Sequence, residues 1–285
     1  MNQGRLFSMR ILYVTDLHGT EWKYDRLFQV AVDSDVDAVV NGGDMLPKGR
    51  DIACQADFIV DFLAAHFKEY NDAGVYYLCC LGNDDLKQFD PLFKNVCDKY
   101  LHIHDIAQRK IELGGFEFIG MNWVVDYPFR LKDRCRMDTE DYVFQEQYGS
   151  GLISTDAGWR ELDDWFAYAK TLPTIEEELT QLVQPNNMER TIYSIHMPPV
   201  KMGLDQCAHG LEVGSKAVYE FLEREQPRLS LHGHIHESPA CSEKWWGKIE
   251  KTVCIQPGQL EALSYVLIDL DTMEFEGFAL PNGDD

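Results

Sequence analysis

Residues 75–85 read VYYLCCLGNDD, an apolar run from Val75 to Leu81 that breaks into Gly82-Asn83-Asp84-Asp85. A short run of strand-forming residues bounded by turn formers predicts a buried strand emptying into a loop. The same pattern occurs twice upstream. Met9–Thr15 runs into Asp16-Leu17-His18-Gly19, and Val36–Val40 runs into Asn41-Gly42-Gly43-Asp44. Between these runs, residues 22 to 33 place Trp22, Leu27, Val30 and Ala31 on a helical face. Residues 51 to 70 place Ile52, Ala56, Ile59, Val60, Leu63 and Phe67 on one stripe. A further helix is expected at 86 to 100. Repeated strand-then-helix units imply parallel strands joined by right-handed crossovers, and so an α/β layered core.

Beyond Val125 the pattern changes. Arg109 to Val125 has Gly114-Gly115 between two alternating runs, as a hairpin would. Residues 126 to 190 mix Tyr127-Pro128, charged clusters, Trp159, Trp165 and a helical segment at Ile175 to Val183. This stretch is expected to be an accessory helical and loop insertion covering one edge of a single domain that spans residues 1–285. Strand character returns at Arg190 to Ile195, which runs into His196. A helix is expected at 215 to 225 with Ser215 as N-cap, then a strand at Arg228 to Leu231 that runs into His232-Gly233-His234-Ile235-His236. Lys251 to Ile255 and Leu263 to Leu270 complete the strand set.

Bulk properties narrow the function classes. The 285 residues carry 48 acidic against 26 basic side chains, a formal charge of -22. Such a surface repels nucleic acid and anionic lipid, so any site for a phosphate must bring its own cations. No run of about 18 apolar residues is present, which argues against a membrane span. The segment around Arg5 and Arg10 has too short an apolar run for a secretory leader. Eight cysteines without a C-x-x-C spacing predict reduced thiols and a cytoplasmic protein.

The decisive regularity is positional. Asp16 and His18, Asp44, Asn83, His196, and His234 with His236 each follow a predicted strand. In α/β sheets the functional crevice lies outside the C-terminal ends of strands, so these loops are expected to converge. Taken one at a time, turn chemistry explains D-x-H, G-D and G-N well enough. Gly233-His234-Ile235-His236 is the strongest piece, because alternate residues of an extended chain face the same way. Together the side chains form a mixed imidazole and oxygen set suited to Mn, Fe, Zn, Co or Ni. They are too numerous for one tetrahedral ion but suit two ions about 3.5–4 Å apart that share a carboxylate, the spacing used for in-line attack on phosphorus. With two dications against two aspartates, the pocket would carry about +2.

On these blocks the chain resembles the calcineurin-like metallophosphoesterase superfamily, whose ordered D-x-H, G-D, G-N, H and G-H-x-H segments correspond to Asp16-Leu17-His18, Gly43-Asp44, Gly82-Asn83, His196 and Gly233-His234-Ile235-His236. The resemblance implies a four-layer α-β-β-α sandwich of two mixed sheets flanked by helices. It further implies that Asp16, His18 and His236 hold one divalent ion, that Asp44 bridges, and that Asn83, His196 and His234 hold the second. The metals would be Mn²⁺, Fe²⁺/Fe³⁺, Zn²⁺ or Ni²⁺, with Mn²⁺ favoured in assay. The expected reaction is in-line attack of a metal-bound hydroxide on a small-molecule phosphodiester or activated monoester, with His196 helping to neutralise the developing charge. A compact, phosphodiesterase-like branch is the nearest resemblance. One position departs from the pattern: family members commonly carry His after the Asn, contacting phosphate and protonating the leaving group, whereas this chain has Asp84. An ionised Asp84 would repel a phosphate. That departure keeps open a catalytically weak metal- or phosphate-binding regulatory protein, and a nuclease of the same chemistry is the other alternative.

Asn83, Asp84 and His209 are candidate substrate contacts. His102 and His104 are expected to share a partly exposed strand face, His232 to lie in its strand, and His66 to lie on a helix surface. Trp245-Trp246 and the aromatics of 123 to 129 are expected to serve as core or lid packing.

Overall fold

The computed structural model describes residues 8–49 and 52–283. The first half runs β1 (Arg10–Val14), α1 (Glu21–Asp33), β2 (Ala38–Asn41), α2 (Ala53–Asp57), a π turn at Phe58–Leu63, α3 (Ala64–Ala73), β3 (Tyr76–Cys79), α4 (Asp90–Cys97) and β4 (Ile103–Asp105). Next come β5 (Lys110–Leu113), β6 (Phe116–Met121), β7 (Val124–Val125), β8 (Cys135–Arg136), β9 (Gly151–Thr155), β10 (Gly158–Leu162), α5 (Trp165–Ala169) and α6 (Ile175–Gln181). The remainder is β11 (Thr191–Ile195), α7 (Lys216–Glu225), β12 (Leu229–Leu231), α8 (Ser238–Ser242), β13 (Trp246–Ile249), β14 (Thr252–Ile255), β15 (Leu263–Asp269) and β16 (Phe275–Leu280).

Two six-stranded mixed sheets form the centre. The first has the order β16-β15-β1-β2-β3-β4 and the second β13-β14-β12-β11-β6-β5. In the first, β1 through β4 are parallel, while β15 pairs antiparallel with both β1 and β16. In the second, β6, β11, β12 and β14 are parallel, and β5 and β13 are antiparallel edges. Side-chain alternation along each strand decides the layers. Ile11, Tyr13, Val40 and Leu78 point from the first sheet into a shared interior with Phe118, Ile192, Leu231 and Ile255 of the second. Their neighbours Leu12, Val14, Val39 and Tyr77 face outward against Leu27 of α1 and Phe67 of α3. On the opposite outer face, Ile119, Tyr193 and Ile195 meet Val218 and Leu222 of α7 and Ile175 and Leu179 of α6. Each large apolar side chain buried this way contributes about 1.5–3 kcal/mol. The result is the four-layer α-β-β-α sandwich.

Local signals act as expected where the physics is local. Gly114 and Gly115 turn between β5 and β6 with φ of 59° and 78°, the left-handed conformations a tight hairpin needs. The Ser215 hydroxyl caps α7 by accepting the Val218 N–H at 2.9 Å.

Other expectations are corrected. The stripe across the helix at 51 to 70 slips at the π turn, so that Ile59 and Leu63 are buried while Val60 is 49% exposed. A π turn inserts an extra residue per turn and rotates the helix beyond it. His66 is not on the surface: it is 3% exposed, enclosed by the rings of Tyr24, Phe28, Phe62, Tyr70 and Tyr77. Within the 126–190 segment, Trp165 and Ile175 share a buried apolar cluster with Ile195 of the second sheet. His102 and His104 do share a side, both against the ring of Tyr76. Among the described residues, no helix is long and apolar enough to cross a membrane.

Candidate metal centre

The loops after β1, β2 and β3 of the first sheet meet those after β11 and β12 of the second. Backbone hydrogen bonds set their relation: the Asp16, His18 and Gly19 N–H groups donate to Gly43, Asp44 and Met45 carbonyls at 2.8–2.9 Å. The His234 N–H donates to both Asp16 carboxylate oxygens at 3.1 Å, which joins the two sheets across the rim. Four of the expected ligands sit in left-handed backbone, with φ of 58° at Asp16, 46° at His18, 51° at Asp44 and 69° at His234. Non-glycine residues avoid this region, and its persistence points to a geometry that the surroundings over-determine. Close approach demands glycine at two places. A Cβ on Gly82 would lie 2.2 Å from Asp44, and one on Gly233 would lie 2.1 Å from the Thr15 hydroxyl.

All seven expected side chains come together. His18 Nε2 is 2.9 Å from His236 Nε2, which is 3.4 Å from Asp16 Oδ1. Asn83 Oδ1 is 2.6 Å from His234 Nδ1 and 2.9 Å from His196 Nε2. Asp44 lies between the two groups, its Oδ2 3.5 Å from His196 Nε2 and 3.9 Å from His18 Nε2. Asp16, His18, Asp44 and His236 offer ligand atoms all within 4.8 Å of one another.

These residues fit a cation. Among the described residues, no hydrogen-bond donor reaches the buried Asp44 Oδ2, a costly state unless positive charge is placed against it. Its partner oxygen accepts the Asp84 N–H at 2.8 Å, which fixes the carboxylate plane. Burial works to raise Asp16, but His236 and His196 outweigh it and hold the carboxyl at about 2. Burial likewise opposes charge on His196, yet Asp44 and Asp16 push it up to about 9. Burial takes His18 down to about 4 and, with His196 adding to it, His234 to about 3. Two carboxylates that draw positive charge beside neutral imidazoles form a donor set for a borderline divalent ion. The Nδ1 of His196 faces the Gly42 carbonyl at 2.9 Å, leaving Nε2 for the centre.

The two aspartates of the GNDD stretch divide the work. Asp85 is fully buried and accepts three backbone N–H groups: Met45 at 2.9 Å, Leu46 at 2.8 Å and Gly82 at 2.7 Å. It ties the Asn83 loop to the Asp44 loop. Burial and then Asp44 push its carboxyl up to about 7, against the pull of those three donors. Asp84 instead faces the cleft and pairs with Lys48, Nζ to Oδ2 at 2.9 Å. Burial and Asp44 raise the Asp84 carboxyl while Lys48 pulls it down.

The centre opens into a cleft of about 670 Å³ lined by Asp44, Lys48, Asn83, Asp84, His234 and His236 at its base. Higher on its walls stand Tyr127, Phe129, Tyr148, Leu211 and Val213. The aromatics of 123 to 129 are therefore not all packing: Trp123 packs against the buried apolar cluster that includes Ile119 and Ile195 of the second sheet, whereas Tyr127 and Phe129 face this cleft. His209 belongs to the 3-10 turn Ala208–Gly210, and its side chain lies outside the described residues. Lys48, Asp85 and the aromatic wall escaped the motif reading. The signal available for Lys48 was a cation four residues past Asp44, with Arg50 two residues on, in a chain where acidic side chains outnumber basic ones.

The model of the calcineurin-like phosphoesterase family matches residues 9–238, and the chain belongs to that family. No curated protein matches it. Among solved structures, TT1561 of Thermus thermophilus superposes with a TM-score of 0.58 at 15% identity, over 95% of this chain and 99% of its own. A dimetal phosphatase from Danio rerio superposes with a TM-score of 0.54 at 10% identity, over 97% of this chain and 99% of its own. At such identities the likeness concerns the fold.

Proposed function

We propose that the chain hydrolyses a phosphodiester, or an activated phosphomonoester, of a small molecule at a centre of two divalent ions, Mn²⁺ serving in assay. The observation that carries this reading is the convergence of seven donors from five strand ends, with Asp44 Oδ2 standing between two ligand groups. Asp16, His18 and His236 would hold one ion, and Asn83, His196 and His234 the other, with Asp44 common to both. When bound, such ions supply Lewis-acid charge at phosphorus and make water acidic enough to attack near neutral pH. The chain's own groups do the positioning. The Asp84 N–H orients Asp44, and the Gly42 carbonyl orients His196. Lys48 places its ammonium at the cleft base, where it can bind ester oxygens and offsets the charge of Asp84. That pairing weakens the case for a merely regulatory protein, since the Asp84 position no longer presents a bare anion.

The strongly acidic surface favours a small ester over nucleic acid. No disulfide links the cysteines among the described residues, which supports a reducing, cytoplasmic setting. The chain is read as a single unit in which 126–190 shapes substrate choice. Metal analysis with turnover of bis-p-nitrophenyl phosphate and p-nitrophenyl phosphate tests the reading. About two equivalents of metal and diester hydrolysis are expected, and both should collapse in Asp44→Asn. An Asp44→Asn variant that keeps its metal and its turnover sinks the proposal.

A further inference from the structure

The cleft carries more apolar surface than phosphate chemistry requires. From the centre outward, rings succeed one another: His234 to Tyr127 at 5.7 Å between centroids, Tyr127 to Phe129 at 5.9 Å, and Phe129 to Tyr148 at 5.5 Å. Phe129 is 61% exposed, Tyr148 71%, and Leu211 across the cleft 59%. Large apolar side chains gathered at one mouth of a chain charged at -22 mark a binding surface.

The wall is built rather than loose. Beneath Tyr127, Lys132 and Asp126 form an ion pair of 2.7 Å with both side chains wholly buried. The Lys132 ammonium also donates to the Tyr127 carbonyl and sits 5.0 Å from the centre of the Tyr127 ring. The Trp165 indole N–H donates to Asp126 at 2.9 Å, and the Tyr148 N–H donates to the Pro128 carbonyl at 2.9 Å. Phe129 and Tyr148 meet edge to face at 81°, an arrangement in which a ring face stays free for a flat partner. Polar groups also line the cleft, among them Gln145 and Glu237, which offer the donors and acceptors an alkyl chain would leave unsatisfied.

We infer that this wall receives a planar, hydrogen-bonding aromatic group of the substrate, so that the ester processed is of the nucleoside phosphate type. The inference rests on the phosphoesterase reading for the seat of the phosphate, but not on turnover. Stacking on exposed rings is sequence-tolerant and discriminates by about 10-fold or more against a partner with no ring.

Calorimetric titration of the Mn²⁺-loaded protein with thymidine 5′-monophosphate, ethyl phosphate and hexadecyl phosphate provides the test. The nucleotide should bind about 10-fold or more tighter than ethyl phosphate, and the Phe129→Ala/Tyr148→Ala double variant should bring the two together. Equal affinity in the unaltered protein overturns the inference whatever the variant does, as does tighter binding of the hexadecyl ester, which would assign the wall to an acyl chain. Failure of the catalytic reading would look different: the affinity ranking would persist while no ester turned over.

Discussion

Replacing Asp85 with Ala removes the acceptor for three backbone N–H groups at once, those of Met45, Leu46 and Gly82. Each buried donor left without an acceptor costs about 1–3 kcal/mol, and loop relaxation that admits water recovers part of this, so a net loss of about 3–5 kcal/mol is expected. Asp85→Asn should fall between. An amide oxygen in the place of Oδ2 can still accept from Met45 and Gly82, but the amide nitrogen then meets the Leu46 N–H donor to donor. Urea unfolding at pH 8, where the carboxyl raised to about 7 is mostly ionised, reads both variants against the unaltered protein. Unfolding is done in chelator, so that lost metal does not enter the difference. A loss below about 1 kcal/mol for Asp85→Ala, within the range of ordinary surface substitutions, would refute Asp85 as the tie between the two loops.

Burial takes His66 from its ordinary 6.5 down to about 4, so between those values the unfolded chain takes up a proton that the folded chain refuses. Its contribution is full above pH 6.5 and is lost on acidification, about 3 kcal/mol by pH 4, relative to His66→Phe. A stability difference between the two proteins that stays constant from pH 7 to 4 contradicts this. Gly82→Ala would drive a methyl group to 2.2 Å from Asp44 and should lower bound metal severalfold by elemental analysis; unchanged content would mean that the loop can yield. Lys48→Met should raise KM for phosphate esters by about 10-fold with a smaller change in kcat, and an unchanged KM would remove Lys48 from the phosphate seat. Asp84→His should improve hydrolysis of esters with poor leaving groups relative to p-nitrophenyl esters, and an identical change for both would speak against a leaving-group role at that position.

The gathering of candidate ligands at the strand ends was legible because metal chemistry needs particular atoms and parallel strands deliver them to one rim. Asp16, Asn83 and His234 could be read without knowing any distance. The helical stripe failed at Val60 because a π turn depends on packing and leaves no period in the sequence. His66 held a core position, one helical turn from Leu63 and Tyr70, but its polarity masked the fact that rings on five sides would accept it. β16, Phe275 to Leu280, is an edge strand with no fully buried residue, so its apolar residues follow no clean alternation. The aromatic wall was hidden for a different reason: Phe129 meets Tyr148 only because the 126–190 segment folds back on itself, a contact no local pattern encodes.

The candidate metal donors split unevenly between the two sheets, four from the loops after β1, β2 and β3 and three from those after β11 and β12. Ions seated there would rivet one half of the sandwich to the other, doing at the rim what the apolar interior does below it. Loading at 100 times the dissociation constant would add about 2.7 kcal/mol per independent site. Melting temperature should therefore track free Mn²⁺ concentration, and the first opening in chelator should part the halves at this seam, with amides of Gly43 and His234 exchanging before those of Leu12 or Ile192.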